Sequence, residues 1–366
     1  MSEANEIYLV VGGEGFLGRR IVEALVKQKK SSCEKYDSSD IRVVDIRKNY
    51  ENNDNEYVFF EGDICNEKSI LSILNHNNRP VTTVFHTASP IMKAPTEVHK
   101  KVNVLGTRAL LDACKFAKVR NFIYTSSASV VYSGKPLVYV DETIPYADPF
   151  ADYYSETKAI AEKMCLDENS LEVDGMRTVA LRPSGIFGPG DGQVTPGALT
   201  AQKKGYPVLF QVGDNSALFD FTFVDNLVDA HLAASNALIY NRDNLERISE
   251  ISGNSFFITN DEPIGMWSFL RLLWAEAGDK REPKIIIPNF LATLILSILS
   301  FLSSLNLVKH EVPFVFGMTF TNRYFNIDKA KRLLNYKPRV SYKEGVPLAV
   351  ASTLNRWKED DEKKGN

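Results

Sequence analysis

The sequence predicts an α/β fold, a doubly wound parallel sheet with a smaller C-terminal region packed against it. Three observations predict this. Short β-branched runs alternate with amphipathic stretches through the first half of the chain, the order that lays strands parallel with a helix in each crossover. Three glycines at a three-residue spacing, Gly12, Gly15 and Gly18, stand between the first such run and the first such helix. After Gly188 the alternation gives way to an irregular stretch rich in Gly and Pro.

The elements follow in order. Ile7 to Val11 is short and apolar and reads as a buried strand. Phe16 to Lys29 reads as a helix because Ile21, Ala24 and Leu25 share one face. Ile41 to Ile46, Val58 to Glu61 and Val81 to His86 read as the second, third and fourth strands. A helix over Val102 to Ala117 and a fifth strand over Phe122 to Ser126 come next. Tyr154 to Leu166 reads as a helix and Arg177 to Arg182 as the sixth strand. Residues 1–188 are thus expected to form the sheet domain, and residues 189–366 mainly a substrate-binding region on its C-terminal edge.

Composition narrows the function class. The chain has 366 residues, enough for a large core, with 44% hydrophobic and 24% charged residues. Lys and Arg total 43 against 46 Asp and Glu, which leaves no basic footprint for nucleic acid. Cys33, Cys65, Cys114 and Cys165 form no CxxC pair, so reduced thiols are expected, with no metal site and no disulfide framework. Met1 to Glu6 is polar, and the run that follows is too short for a signal peptide, so a cytosolic catalytic domain is expected.

One segment departs from the soluble pattern. Ile285 to Val308 is 24 residues without a charge, long enough to cross a bilayer or lie within one. Pro288, Asn289 and several serines weaken a spanning reading, so an embedded or monotopic helix is expected over a buried helix of the second region. The tail Trp357 to Asn366 alternates in charge and ends Lys363-Lys364-Gly365-Asn366, similar to the dilysine retrieval signal of endoplasmic-reticulum membrane proteins. Together they place the chain at that membrane.

The glycine loop predicts a dinucleotide site. Its glycines allow a tight turn and let the backbone approach a pyrophosphate, while the helix that starts at Phe16 and Leu17 offers free N–H groups and the positive end of its dipole. Asp45 ends the second strand, where a carboxylate accepts from ribose hydroxyls and repels a 2′-phosphate. That favours NAD. Arg47, two residues on, is suited to a 2′-phosphate and keeps NADP open. Asp63 is placed to meet the adenine edge, or serves only as a turn residue.

The chemistry is read from Tyr154 and Lys158, four residues apart and on one helical face. A free phenol has a pKa of about 10. A neighbouring ammonium is expected to lower it, so that the pair accepts an alcohol proton as hydride leaves. Ser127, after the fifth strand, is placed to bond the substrate oxygen, with Ser126 the competitor for that role.

This ordered set resembles an extended short-chain dehydrogenase/reductase. It comprises Gly12/Gly15/Gly18, Asp45, Gly62-Asp63-Ile64, His86-Thr-Ala-Ser89, Val102 to Thr107, Tyr124-Thr-Ser-Ser127, Tyr154/Lys158 and Leu181 to Gly188. The resemblance implies a Rossmann-type domain with Ser127, Tyr154 and Lys158 as catalytic residues. It implies that the cofactor meets Gly12, Gly15, Phe16, Leu17, Gly18, Asp45, Asp63, Ile64, Ala88, Ser89, Tyr154 and Lys158, with the Pro183 to Ile186 backbone near the nicotinamide. Asn103 is a weaker match that can equally be structural.

Within that family the chain is most similar to the 3β-hydroxysteroid dehydrogenase branch. The matching residues are His86 to Pro90, Thr157 to Glu162, Ala180 to Asp191, Gly213 to Phe223, Phe256 to Asn260 and Arg323 to Ile327. More narrowly the likeness is to the decarboxylating enzymes of sterol C4-demethylation. It implies a sterol substrate, a 3β-hydroxy-4α-carboxysterol oxidised to a 3-ketosterol, and as partners a second copy of the chain and other sterol C4-demethylation proteins. A 3β-hydroxysteroid dehydrogenase/isomerase or another ketoreductase is chemically near. A nucleotide-sugar epimerase shares the motifs but gains nothing from Ile285 to Val308, and a non-enzymatic cofactor sensor need not keep Ser127, Tyr154 and Lys158. For the 4α-carboxylate the sequence offers Arg182, Lys93 and Arg323 without choosing among them.

Overall fold

The computed structural model describes every residue except 1–5, 33–36, 50–55, 206, 310 and 366; Cys33 and the terminal Asn366 therefore lie outside the described residues. The strands are β1 (Tyr8–Val11), β2 (Ile41–Asp45), β3 (Val58–Glu61), β4 (Thr83–His86), β5 (Asn121–Thr125), β6 (Leu137–Val140), β7 (Arg177–Pro183), β8 (Gly185–Phe187), β9 (Phe210–Val212), β10 (Leu218–Phe219), β11 (Phe221–Phe223), β12 (Asn254–Ile258), β13 (Ile264–Gly265), β14 (Ile285–Ile287) and β15 (Arg323–Phe325). The first helices are α1 (Phe16–Ser32), α2 (Glu67–Leu74), α3 (Thr96–His99), α4 (Thr107–Phe116), α5 (Tyr153–Asp167), α6 (Val194–Lys203) and α7 (Val224–Tyr240). They are followed by α8 (Leu245–Ile251), α9 (Met266–Glu276), α10 (Asn289–Ser304), α11 (Glu311–Met318), α12 (Asp328–Leu334) and α13 (Tyr342–Gly365).

Seven strands pair in parallel in the order β12-β7-β5-β4-β1-β2-β3. The chain order reverses between β1 and β4, the point at which a doubly wound sheet opens a crevice beyond its strand ends. Side chains alternate across the sheet. Tyr8, Val10, Ile41 and Val43 pack with Leu17, Ile21 and Leu25 of α1 and with Leu227 of α7 on one face. Leu9, Val11, Val44 and Val84 pack with Ile70, Leu110 and Ala161 on the other. Each such aliphatic side chain, fully buried, contributes roughly 1.5–3 kcal/mol.

The six expected strands and their helices are present. The expected boundary at residue 188 is corrected: β12 pairs with β7 along Asn254–Ile258, and α7 covers the sheet beside α1. Its run Phe256-Phe257-Ile258 is buried on both faces and bears no alternation by which sequence alone assigns it to the sheet. Three C-terminal strands join β6 in a four-stranded sheet, β13-β10-β15-β6, the pairs β11-β8 and β14-β9 form two small sheets, and Phe221 stacks on Phe269 at 3.7 Å in an aromatic cluster of this region.

The segment Ile285 to Val308 divides. Its first residues are β14, paired with β9, and α10 follows after Pro288. No helix of the described residues is long and apolar enough to cross a membrane. Nor is α10 a buried helix: Phe290, Leu294, Ile298, Phe301 and Leu305 are all exposed.

Candidate active site

The glycine loop fits a dinucleotide. Gly12 has φ +79°, and a Cβ there would lie 2.8 Å from the Ala88 main chain. A Cβ on Gly18 would overlap the Gly12 carbonyl oxygen. The loop thus closes on itself and on the end of β4, at the sheet's reversal, with the N-terminus of α1 facing the same crevice. Ala88 borders it by that contact, and Ser89 is exposed beside it.

Asp45 closes β2, its carboxylate accepting from Glu14 N at 3.1 Å and Ile46 N at 2.8 Å. Burial raises its carboxyl above the usual range, while those two N–H bonds oppose the shift. Sequence reasoning missed Glu14. Its buried carboxylate accepts from Asn49 N at 2.9 Å and from the Tyr57 hydroxyl at 3.2 Å, placing a second acid beside Asp45. Arg47 is exposed at the same strand end. Asp63 accepts from Cys65 N and pairs with Lys101, each at 2.9 Å; burial raises its carboxyl, but these bonds and the Lys101 charge together outweigh it and hold the carboxyl low. The Ile64 side chain is buried.

Asp152 caps α5 by accepting from Ser155 N at 2.7 Å, which sets Tyr154 in the first turn and Lys158 one turn later. The Tyr154 phenol meets the hydroxyls of Ser127 and Ser89, and its ring lies edge-on to His99 at 5.6 Å. Ser127 also bonds the Ser129 hydroxyl at 2.9 Å. Ser126 is buried with its Oγ unpartnered and its N–H donating to the Leu181 carbonyl, whereas Ser127 is the serine of this pair that acts on the Tyr154 phenol.

The expected lowering of the Tyr154 pKa is corrected. Burial pushes the phenol up to about 12, outweighing Ser127, Ser89 and Arg323, all of which favour the phenolate. Lys158 does not act on it directly. Its ammonium points into the sheet, donating to the Thr125 carbonyl at 2.5 Å and lying 4.3 Å from the Tyr124 ring centroid. Burial pushes Lys158 down to about 7, against the opposing charge of Glu162. The two helical neighbours therefore shift in opposite senses.

Asn103 proves to be a buried connector. Lys100–Gly106 forms a π-helical turn between α3 and α4. Its Asn103 amide donates to Thr157 of α5 at 3.0 Å and its carbonyl accepts from Ser89 at 3.2 Å. Such turns often mark functional sites. At the far side, Ser184 fixes the segment after Pro183 by donating to the Asp220 carbonyl at 2.6 Å, and Ile186 follows in β8.

The three cationic candidates separate. Arg182 is excluded as a free anion site, because its guanidinium forks onto buried Glu162 at 2.6 to 3.1 Å and Tyr146 completes the cluster at 2.8 Å. Lys93 is exposed on the turn before α3. Arg323 on β15 is buried, and its charge reaches Tyr154.

A model of the 3-beta hydroxysteroid dehydrogenase/isomerase family matches residues 9–289. The decarboxylating sterol-4-alpha-carboxylate 3-dehydrogenase of Candida albicans is 37% identical over 358 residues, covering 94% of this chain and 97% of its own. Its counterpart in Saccharomyces cerevisiae is 36% identical over 365 residues, covering 96% and 98%. Among solved structures, UDP-glucuronic acid 4-epimerase from Bacillus cereus, in complex with NAD, matches with a TM-score of 0.66 at 21% identity, over 96% of this chain and 99% of that one. That last likeness is one of fold.

Proposed function

The chain belongs to the 3-beta hydroxysteroid dehydrogenase/isomerase family, and from that premise we propose that it oxidises 3β-hydroxy-4α-carboxysterols with loss of carbon dioxide, as in sterol C4-demethylation. The observation that carries the reading is the convergence of Ser127 and Ser89 on the Tyr154 hydroxyl beside the glycine cradle. A nicotinamide dinucleotide, when bound, supplies the hydride acceptor for C3. Gly12, Gly15, Gly18 and the first turn of α1 (Phe16, Leu17) hold its pyrophosphate, and the paired acids Asp45 and Glu14 favour NAD over NADP by opposing a 2′-phosphate.

Tyr154 takes the 3-hydroxyl proton in its phenolate form, the form that Ser127, Ser89 and Arg323 favour against burial, and Ser127 donates to the oxygen that becomes the carbonyl. Lys158 holds the end of β5 and the first turns of α5 together through Thr125. The product is a β-keto acid. Its C4–carboxylate bond then breaks, the electron pair passes into the C3–C4 bond and onto the C3 oxygen, and carbon dioxide departs. Ser127 and Tyr154 hold that enolate oxygen until C4 is protonated, so no metal is called for.

The exposed stripe Phe290, Leu294, Ile298, Phe301 and Leu305 recurs at helical spacing, and Phe290 and Phe301 are 77% and 63% exposed. It supports α10 lying in a membrane interface, where a sterol resides. Flotation with phospholipid vesicles should carry the wild type and not a variant with Phe290→Ser and Phe301→Ser; equal flotation would remove the interfacial reading. For the reaction itself, the protein is incubated with NAD and a 4α-carboxysterol while NADH and carbon dioxide are both followed. One carbon dioxide per NADH is expected. NADH without carbon dioxide would reduce the protein to a plain 3β-alcohol dehydrogenase.

A further inference from the structure

We propose that Arg323 is the residue that recognises the 4α-carboxylate, and so selects carboxysterols over sterols lacking the acid. This rests on the reading above. Arg323 lies in β15, in register with Phe219 of β10 and Leu137 of β6. It is 8% exposed, and its Nε is buried without a hydrogen-bond partner. Among the described residues, no carboxylate lies within ion-pair distance of its guanidinium. Of the acids related to it by charge or chain pairing, Asp152 caps α5, and Asp220 accepts from Phe325 N through Oδ2 at 2.8 Å while its Oδ1 is buried and unpartnered without reaching ion-pair distance of Arg323.

What surrounds the guanidinium is aromatic. It lies 4.5 Å from the Tyr132 ring centroid and 5.6 Å from that of Phe219. Aromatic faces hold a cation in place yet leave its N–H edge unsatisfied, and a buried charge left so is costly. A planar fork with free donors matches a carboxylate, which binds it in bidentate fashion. Arg182 shows the acid-paired form of the same side chain in this molecule, its Nε and Nη2 forked onto Glu162 with Nη1 left over. Arg323 lacks that internal acid.

Its position suits this substrate. The Tyr132 ring on which Arg323 packs belongs to the residue whose carbonyl accepts from Ala151 N at 3.3 Å, three residues before Tyr154, and the charge of Arg323 favours the Tyr154 phenolate. C3 and C4 of the sterol are bonded neighbours, so a carboxylate on C4 lies close to the hydroxyl on C3 that Tyr154 takes. The pairing belongs to recognition. An ion pair to the intact carboxylate is weakened as that group leaves as neutral carbon dioxide, so it lowers KM without speeding the bond-breaking step.

The test compares a 4α-carboxysterol with its 4α-carboxamide, which has the same size and no charge. The wild type should prefer the acid at least about ten-fold in kcat/KM, the scale of one or two charge-assisted hydrogen bonds. Arg323→Met should bring that ratio to near one, chiefly through KM, and Arg323→Lys should keep part of it. The ratio cancels any common loss through Tyr154. A wild type indifferent to the charge, or an Arg323→Lys protein with the full preference, overturns the proposal even if Arg323→Met fails to fold. Calorimetric binding of the two ligands separates the two readings: tight, acid-selective binding without NADH would sink the reaction and leave the anion site standing.

Discussion

The carboxyl edge of the central sheet and the small sheet beside it treat the same side chain in opposite ways. On β7, Arg182 is neutralised by Glu162 of α5, and Tyr146 shares the acid. On β15, Arg323 is equally removed from water but is met by rings instead of an acid. The difference separates two jobs. The first cluster locks α5, and with it Tyr154 and Lys158, onto the sheet. The second keeps a charge uncommitted where a ligand can complete it.

Tyr154→Phe gives the largest expected effect. Removing the proton-transfer group should lower kcat by about a thousand-fold, within the range for general acid–base catalysis. The loss should be equal on acid and amide substrates, which distinguishes it from Arg323→Met. Steady-state NADH formation on both ligands measures it, and a variant within ten-fold of wild type would remove Tyr154 from the chemistry.

The two arginines should then differ in the sign of their stability effects. Arg182→Met leaves Glu162 buried and unpaired, which should cost about 3–5 kcal/mol in urea unfolding. The double variant Arg182→Met with Glu162→Gln should recover most of it. Arg323→Met removes an unpaired buried charge and should leave stability unchanged or raise it. Similar losses at both positions would erase the contrast drawn between the two regions.

That contrast also explains what could be read from the chain. Gly12, Gly15 and Gly18, and Tyr154 with Lys158, serve needs met within a few residues, a turn or one helical face, so they carry short local signatures. The uncommitted state of Arg323 depends on β15 pairing with β6 and β10, segments remote in sequence, and on rings rather than an acid facing it there. The place of β12 in the main sheet and the division of Ile285 to Val308 into a paired strand and an exposed helix are likewise set by distant partners. The shift at Tyr154 failed for a related reason. Helical spacing puts Lys158 on the right face, but it says nothing of the Thr125 carbonyl toward which the ammonium turns, nor of the burial that dominates both groups.

Lys158 offers the smallest and most directional prediction. Its pKa is about 7 in the folded chain against 10.5 for the free group. Below pH 7 the lysine is protonated folded and unfolded, and the fold bears the full cost of burying the ammonium. Between about pH 7 and 10.5 the unfolded chain binds the extra proton, so raising the pH favours the folded state and the cost declines. Lys158→Met should therefore be more stable than wild type by up to a few kcal/mol at pH 6, with the gap closing as pH approaches 10. Thermal melts of both proteins across that range measure it. A gap that stays constant with pH would mean that Lys158 keeps its proton at all these values. The sheet edge would then hold a permanent cation as the small sheet does at Arg323, and the distinction between a committed and an uncommitted charge would have to be redrawn around Glu162.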